Sequence, residues 1–291
     1  MPNPSPIGVF DSGVGGLSIL KAIRQQLPLE KLIYVADQAH VPYGPRPLEE
    51  VRRFSEGITR FLLAQGAKLI VVACNTASAA ALHYLRESFP GVPFVGMEPA
   101  LKPAAEHTRS GVVGVLATPA TFQGALYASV IERFASGVTV LQDTCPGLVE
   151  EIEAGRAQGE TTYRILQRAL APMLSAGIDT VVLGCTHYPL VIERIAEIAG
   201  AGVRIIDPAP AIARQTRRLL EQGELLREGK RPGRITLYTT GDPAALAGRL
   251  PALWGEPEPG GLPDGLPDGL PVSYARWSGE RLRPHDTSTP V

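Results

Sequence analysis

The chain has 291 residues, with 28 basic and 29 acidic side chains and a formal net charge of −1. That length suits one large or two medium domains with ample core, and the basic residues are dispersed instead of gathered into the patch that nucleic acid or an anionic membrane surface requires. The N-terminal MPNPSPIGVF lacks the basic-then-apolar build of a signal peptide, and no apolar run reaches membrane-spanning length, so a cytoplasmic protein with no nucleic-acid or membrane partner is expected.

Short apolar runs alternate with helix-period stretches along most of the chain. Strands are predicted at Ile7–Phe10, Leu32–Ala36, Leu69–Ala73, Phe94–Gly96, Val112–Leu116, Val138–Leu141, Thr180–Leu183, Val203–Ile206 and Ile235–Tyr238. Amphipathic helices are predicted at Leu17–Gln26, Leu48–Leu63, Ala77–Ser88, Thr121–Phe134, Tyr163–Leu174, Val191–Ala199 and Ala211–Glu221. The alternation predicts an α/β fold with mainly parallel sheets. From Gly255 onward Gly and Pro dominate, with the tandem GLPDGLPDGLP at 261–271, and a mobile tail without a core of its own is expected over 255–291.

The first strand runs into Asp11-Ser12-Gly13-Val14-Gly15-Gly16, a turn that opens a helix. Two chemistries fit it. Gly13-x-Gly15-x-x-Ser18 is an imperfect dinucleotide fingerprint, with Asp37 at the second strand's end where a ribose-binding acid belongs. Against this, Ser18 replaces the third glycine and Asp11 sets a negative charge beside any pyrophosphate. An amino-acid site uses the same residues more fully: Ser12 is a donor, and Asp11 meets an ammonium group, assists a thiol, or simply caps the helix. Pro42-Tyr43-Gly44 follows the second strand and is expected to project backbone amides and a phenol toward the same sheet edge.

Cys74 in VVACNT and Cys185 in VLGCTH each end a strand signal and precede a helix, where a dipole lowers a thiol's pKa. A lone buried cysteine is usually an inert hydrophobe; two, each followed by polar groups (Asn75-Thr76 and Thr186-His187), point to one site with two thiols. The halves look duplicated, because Ser12 precedes Cys74 by 62 residues and Thr118 precedes Cys185 by 67. His187 is a proton partner for Cys185 or a group tied into a helix start. Three cysteines without a CxxC pair form neither a disulfide framework nor a metal site, and no cofactor motif is identifiable. Cys145, followed by Pro146 in a predicted first helical turn, is assigned a structural role.

Together, GVFDSGVGGLS, YVADQAHVPYG, VVACNTASA and VLGCTHYPL, in that order, resemble the glutamate racemase family of the cofactor-independent aspartate/glutamate racemases, over about residues 7 to 250. The resemblance implies two pseudo-symmetric α/β lobes, 1–98 plus 210–254 and 99–209, with glutamate enclosed in the cleft between them, no cofactor, and a homodimer that supplies D-glutamate for peptidoglycan. It implies Cys74 as the base for D-glutamate and Cys185 for L-glutamate, assisted by Asp11 and His187. It also implies substrate contacts from Asp11, Ser12, Pro42, Tyr43, Gly44, Asn75, Thr76, Thr118, Thr121, Thr186 and His187. Glu153 falls at the family's acidic position after the third cysteine, its role left open. A racemase of aspartate or another amino acid, a nucleotide-binding dehydrogenase and a non-catalytic small-molecule binding module are the competing functions.

Overall fold

The computed structural model describes residues 3–98, 100–254 and 270–285. Strands β1 (Ile7–Asp11), β2 (Leu32–Ala36), β3 (Leu69–Val72) and β4 (Phe94–Gly96) form a parallel sheet in the order β2-β1-β3-β4. Strands β5 (Val112–Ala117), β6 (Thr139–Asp143), β7 (Thr180–Gly184) and β8 (Arg204–Ile206) form a second in the order β6-β5-β7-β8. The second order repeats the first, strand for strand. Registers agree too: Phe10 lies opposite Val72, which sets Ser12 level with Cys74 two residues on, and Ala117 opposite Gly184, which sets Thr118 level with Cys185 one residue on.

The helices between the strands are α1 (Leu17–Gln26), α2 (Leu48–Ala64), α3 (Asn75–Ser88), α4 (Leu101–His107), α5 (Pro119–Gln123), α6 (Ala125–Phe134), α7 (Leu148–Glu153), α8 (Glu160–Ser175), α9 (Ile192–Ala199), α10 (Ala209–Gln222) and α11 (Pro243–Trp254). With both sheet faces covered, strands such as β1, β2 and β7 are buried at every position, which is why they read as continuous apolar runs. One apolar cluster spans both sheets, joining Val9, Leu20 and Val71 to Leu166, Leu183 and Ile195.

The nine predicted strands are all present, and the differences lie in the connections. The single helix expected over Thr121–Phe134 breaks at Gly124, where the backbone is extended and passes so close to Ala79 that a Cβ would not fit. Pro146 precedes its helix instead of occupying the first turn, because Gly147 takes a left-handed conformation as the N-cap of α7.

The expected coreless tail is corrected over 272–284. There β9 (Ile235–Thr239) pairs with β2, β10 (Val272–Ser278) pairs with β9 in parallel, and β11 (Arg281–Pro284) closes an antiparallel hairpin, giving a seven-stranded sheet. Ala275 and Leu282 are buried in the apolar cluster that includes Ile58 and Phe61 of α2, and the two-residue turn at Gly279-Glu280 uses a positive φ at Gly279. The expected mobile Gly/Pro tract over 255–269 lies outside the described residues.

The first sheet is tied at its base by a buried ion pair. Lys68 Nζ lies 2.7 Å from Glu30 Oε2, with both side chains 2 % exposed. Lys68 also donates to the carbonyls of Asn3 and Leu225, and Glu30 accepts the Arg227 amide. Lys68→Ala leaves Glu30 buried without its counter-charge and is expected to cost about 3–5 kcal/mol, read as a lower midpoint in urea denaturation. Lys68→Met combined with Glu30→Leu should recover part of that loss.

Candidate active site

The Gly13–Gly16 turn is not an open cradle. A Cβ at Gly13 would overlap the Glu153 carboxylate, and one at Gly15 would overlap His187 and Thr186, so the glycines let the first sheet's turn press against the second sheet's loops. The Val14 amide, which a pyrophosphate would need, donates to Glu153 Oε1 at 2.7 Å. Asp37 is fully buried and accepts from Tyr43 Oη at 2.6 Å, Thr240 Oγ1 at 2.8 Å and Trp277 Nε1 at 2.8 Å, with His40 Nδ1 2.9 Å away. Neither group is available to a dinucleotide.

Asp11, at the end of β1, is fully buried. Its Oδ2 accepts the Gly13 amide at 3.1 Å and its Oδ1 accepts the Thr186 hydroxyl at 3.0 Å, from the opposite sheet. It does not cap α1, whose N-cap is Gly16. Burial pushes its carboxyl above the usual range, opposed by the charge of His187 and these two hydrogen bonds.

The two thiols have different surroundings. Cys74 is the N-cap of α3, and its Sγ accepts the Ala77 amide at 3.4 Å. The helix does not make it a thiolate: burial and the charge of Asp11 push the thiol far up, outweighing the hydrogen bonds from Ala77 and Ser12. Cys185 departs from expectation differently, since it precedes a short 3-10 turn at Tyr188–Val191 and α9 begins only at Ile192. Its Sγ lies 3.9 Å from His187 Nδ1, while His187 Nε2 lies 2.6 Å from Glu153 Oε1. Burial alone would strip the imidazole of its proton; Cys185 and Glu153 more than offset it and hold His187 well above the ordinary histidine range. Glu153, desolvated but bonded to His187, Val14 and Gln38, sits below the usual carboxylate range.

Both sulfurs line one small cavity, with about 260 Å³ of empty space including its opening, together with Ser12, Pro42, Tyr43, Gly44, Asn75, Thr76, Thr118, Thr186 and His187. Asp11 and Thr121 do not line it and act from behind. Thr121 Oγ1 lies 2.9 Å from Thr118 Oγ1, which in turn meets Thr76 Oγ1 at 2.7 Å across the cleft. Tyr43 lines the wall with its ring, but its hydroxyl is spent on Asp37 and does not point at the cavity as expected; burial and Asp37 hold the phenol protonated. Asn75 is 3 % exposed, and neither its Nδ2 nor its Oδ1 has a hydrogen-bond partner. A buried amide with both ends unpaired is costly unless a ligand completes it.

The sequence reading missed Glu153's grip on His187 and Val14, and Val149, which also lines the cavity. The single signal for Glu153 was its place after Cys145. Among the described residues no cluster has the makings of a metal site, and no helix is long and apolar enough to cross a membrane.

The Asp/Glu/hydantoin racemase family model matches residues 7–216. A glutamate racemase of Roseiflexus sp. is 52% identical over 243 residues, covering 83% of this chain and 89% of that protein. Among solved structures, glutamate racemase isoform RacE1 of Bacillus anthracis superposes with a TM-score of 0.81 at 32% identity, over 95% of this chain and 98% of that one. The Escherichia coli glutamate racemase in complex with L-glutamate and the activator UDP-MurNAc-Ala gives 0.75 at 36% identity, over 85% and 94%. The chain belongs to the Asp/Glu/hydantoin racemase family.

The His187–Glu153 contact sets a pH signature. Because the folded His187 value lies above the ordinary 6.5 and that of Glu153 below the ordinary 4.5, the stability this pairing contributes is complete between about pH 4.5 and 6.5, is lost as pH rises through the raised His187 value, and is lost again as pH falls through the lowered Glu153 value. The His187 ring signals in an NMR titration should stay those of an imidazolium through neutral pH, and Glu153→Gln should move the titration down toward 6.5. Titration of the parent protein's His187 near 6.5 would contradict this assignment.

Proposed function

We propose that this member of the racemase family interconverts L- and D-glutamate by proton transfer at Cα between Cys74 and Cys185, without an added cofactor. The observation that carries this reading is the placing of two thiols, at register-equivalent strand ends of two repeated sheets, in one cavity that also holds the unpaired Asn75 amide.

Inversion needs a proton removed from one face and delivered to the other, and a single base would return it to its origin. With L-glutamate bound, Cys185 Sγ takes the α-proton while the Cys74 S–H delivers its own to the opposite face; D-glutamate runs the exchange in reverse. His187, paired to Glu153, balances charge at Cys185. Asp11, whose charge acts on Cys74, is the carboxylate assigned to assist it. The N-terminus of α3, opening at Asn75 and Thr76, faces the cavity and favours the negative charge that develops on the α-carboxylate. Asn75, Thr76, Thr118 and Thr186 supply side-chain polar groups for the substrate's carboxylates and amine. Ser12, Pro42, Tyr43 and Gly44 shape the wall.

The division into lobes 1–98 plus 210–254 and 99–209 follows the two sheets, with the hairpin at 272–284 joined to the first. α10 packing on α1 supports placing 210–222 there. The family resemblance supports a homodimer that works in the cytoplasm and supplies D-glutamate for peptidoglycan, and light scattering on the purified protein tests the dimer.

Purified protein should racemise glutamate with no addition and leave aspartate largely unchanged; the converse preference would make it an aspartate racemase. Cys74→Ser and Cys185→Ser should each slow racemisation by roughly 10²–10⁴-fold, the usual weight of a positioned acid or base. In heavy water Cys74→Ser should still label L-glutamate at Cα without inverting it, and Cys185→Ser should do the same with D-glutamate. Normal racemisation by both variants would end the two-thiol mechanism. Asn75→Ala should raise KM about ten-fold, as loss of a buried hydrogen-bond partner does.

A further inference from the structure

The C-terminal hairpin reaches the substrate cavity through a buried carboxyl group. Trp277, on β10, sends its indole Nε1–H to Asp37 Oδ1 at 2.8 Å, and the other oxygen of Asp37 holds the Tyr43 hydroxyl at 2.6 Å. Tyr43 sits between Pro42 and Gly44, and all three line the cavity that contains Cys74 and Cys185.

The indole is itself fixed. Its six-membered ring lies so close to Gly57 of α2 that no side chain fits there, and its ring centroid is 5.9 Å from Phe54 and 5.4 Å from His40. His40 stacks on Phe54 at 3.9 Å, and Tyr43 also packs on Phe54, at 5.7 Å. On its far edge the 42–44 wall meets the second sheet's loops: the Gly44 carbonyl accepts the Ala120 amide at 3.2 Å, and Gly44 lies against Thr118. A shift of Asp37 would therefore be passed to the cavity wall and to the cleft edge. A second route runs through the neighbouring Gln38, whose side chain donates to Glu153 Oε2 at 3.1 Å, so the comparison with Tyr43→Phe is what separates the two.

We propose that Trp277 is a positioning residue for the substrate cavity, acting through Asp37 and Tyr43 to hold the Pro42–Gly44 wall. The hairpin is thus a working part of the site. This rests on the glutamate racemase reading for its kinetic arm only.

The test compares Trp277→Phe, which keeps an aromatic ring and loses the donor, with Tyr43→Phe, the double variant and an exposed control, Arg276→Ala. A lost hydrogen bond of this kind predicts KM for both enantiomers about three- to ten-fold higher in Trp277→Phe, with kcat within about two-fold. The effect should be absent in Arg276→Ala and should not multiply with that of Tyr43→Phe. Alkylation of Cys74 by iodoacetamide, followed by peptide mass spectrometry, should be faster in Trp277→Phe, and this readout needs no enzymatic activity. A Trp277→Phe protein that melts earlier but keeps its KM and its Cys74 alkylation rate would make the tryptophan structural only, and so overturn the proposal. A fall in kcat alone, or full multiplication with Tyr43→Phe, would overturn it as well. Absence of racemase activity in the parent protein would instead defeat the functional reading and leave the alkylation comparison as the test.

Discussion

The carboxylate of Glu153 joins the two halves of the molecule at the site. It accepts the Val14 amide of the first sheet's turn and the Gln38 side chain, and it meets the Nε2 of His187 beside Cys185. Its own backbone carbonyl accepts from Arg249 of α11. Remove the carboxylate and the glycine turn loses the reason for its shape, because Gly13 has no side chain so that this carboxylate can fit. Charge-assisted hydrogen bonds in a dry interior are the strong ones, so the closeness of the two lobes and the charge state of His187 have a common origin.

Much of the architecture was legible because parallel strands covered on both faces are apolar at every position, and the helices between them are amphipathic. Cys74, Cys185 and their neighbours were legible because a strand followed by a turn delivers those residues to the sheet's carboxyl edge. Contacts between distant segments were not legible. Glu153 is 139 residues from Val14, and no local pattern announces that Gly13 faces it. The glycine-rich turn was open to two readings in sequence, since glycines that admit a phosphate and glycines that admit a side chain look alike. The hairpin was hidden by averaging: Val272, Tyr274 and Trp277 with the Gly279-Glu280 turn carry a strand signal, but the Gly/Pro tract before them swamps it.

The halves repeat in topology and differ in chemistry. Ser12 and Thr118 hold matching places beside Cys74 and Cys185, yet one sulfur has a carboxylate nearby and the other an imidazolium. Polar links between the halves, Asp11 to Thr186 and Thr76 to Thr118, run through groups that line the cavity or lie directly behind it. A ligand entering there exchanges contacts the protein already makes with itself, and Asn75 stands out as the group with nothing to exchange.

The unequal tuning of the two sulfurs meets a limit set by the reaction. Enantiomers have equal free energies in an achiral solvent, so under the proposed reaction the equilibrium constant is unity and the Haldane relation makes kcat/KM the same for L- and D-glutamate. A neutral Cys74 facing a Cys185 backed by imidazolium cannot favour one product. It can only divide the same specificity constant differently, as a faster turnover with weaker saturation in one direction and a slower turnover with tighter saturation in the other. The asymmetry therefore sets the substrate concentration at which each direction runs best, and leaves the final mixture racemic.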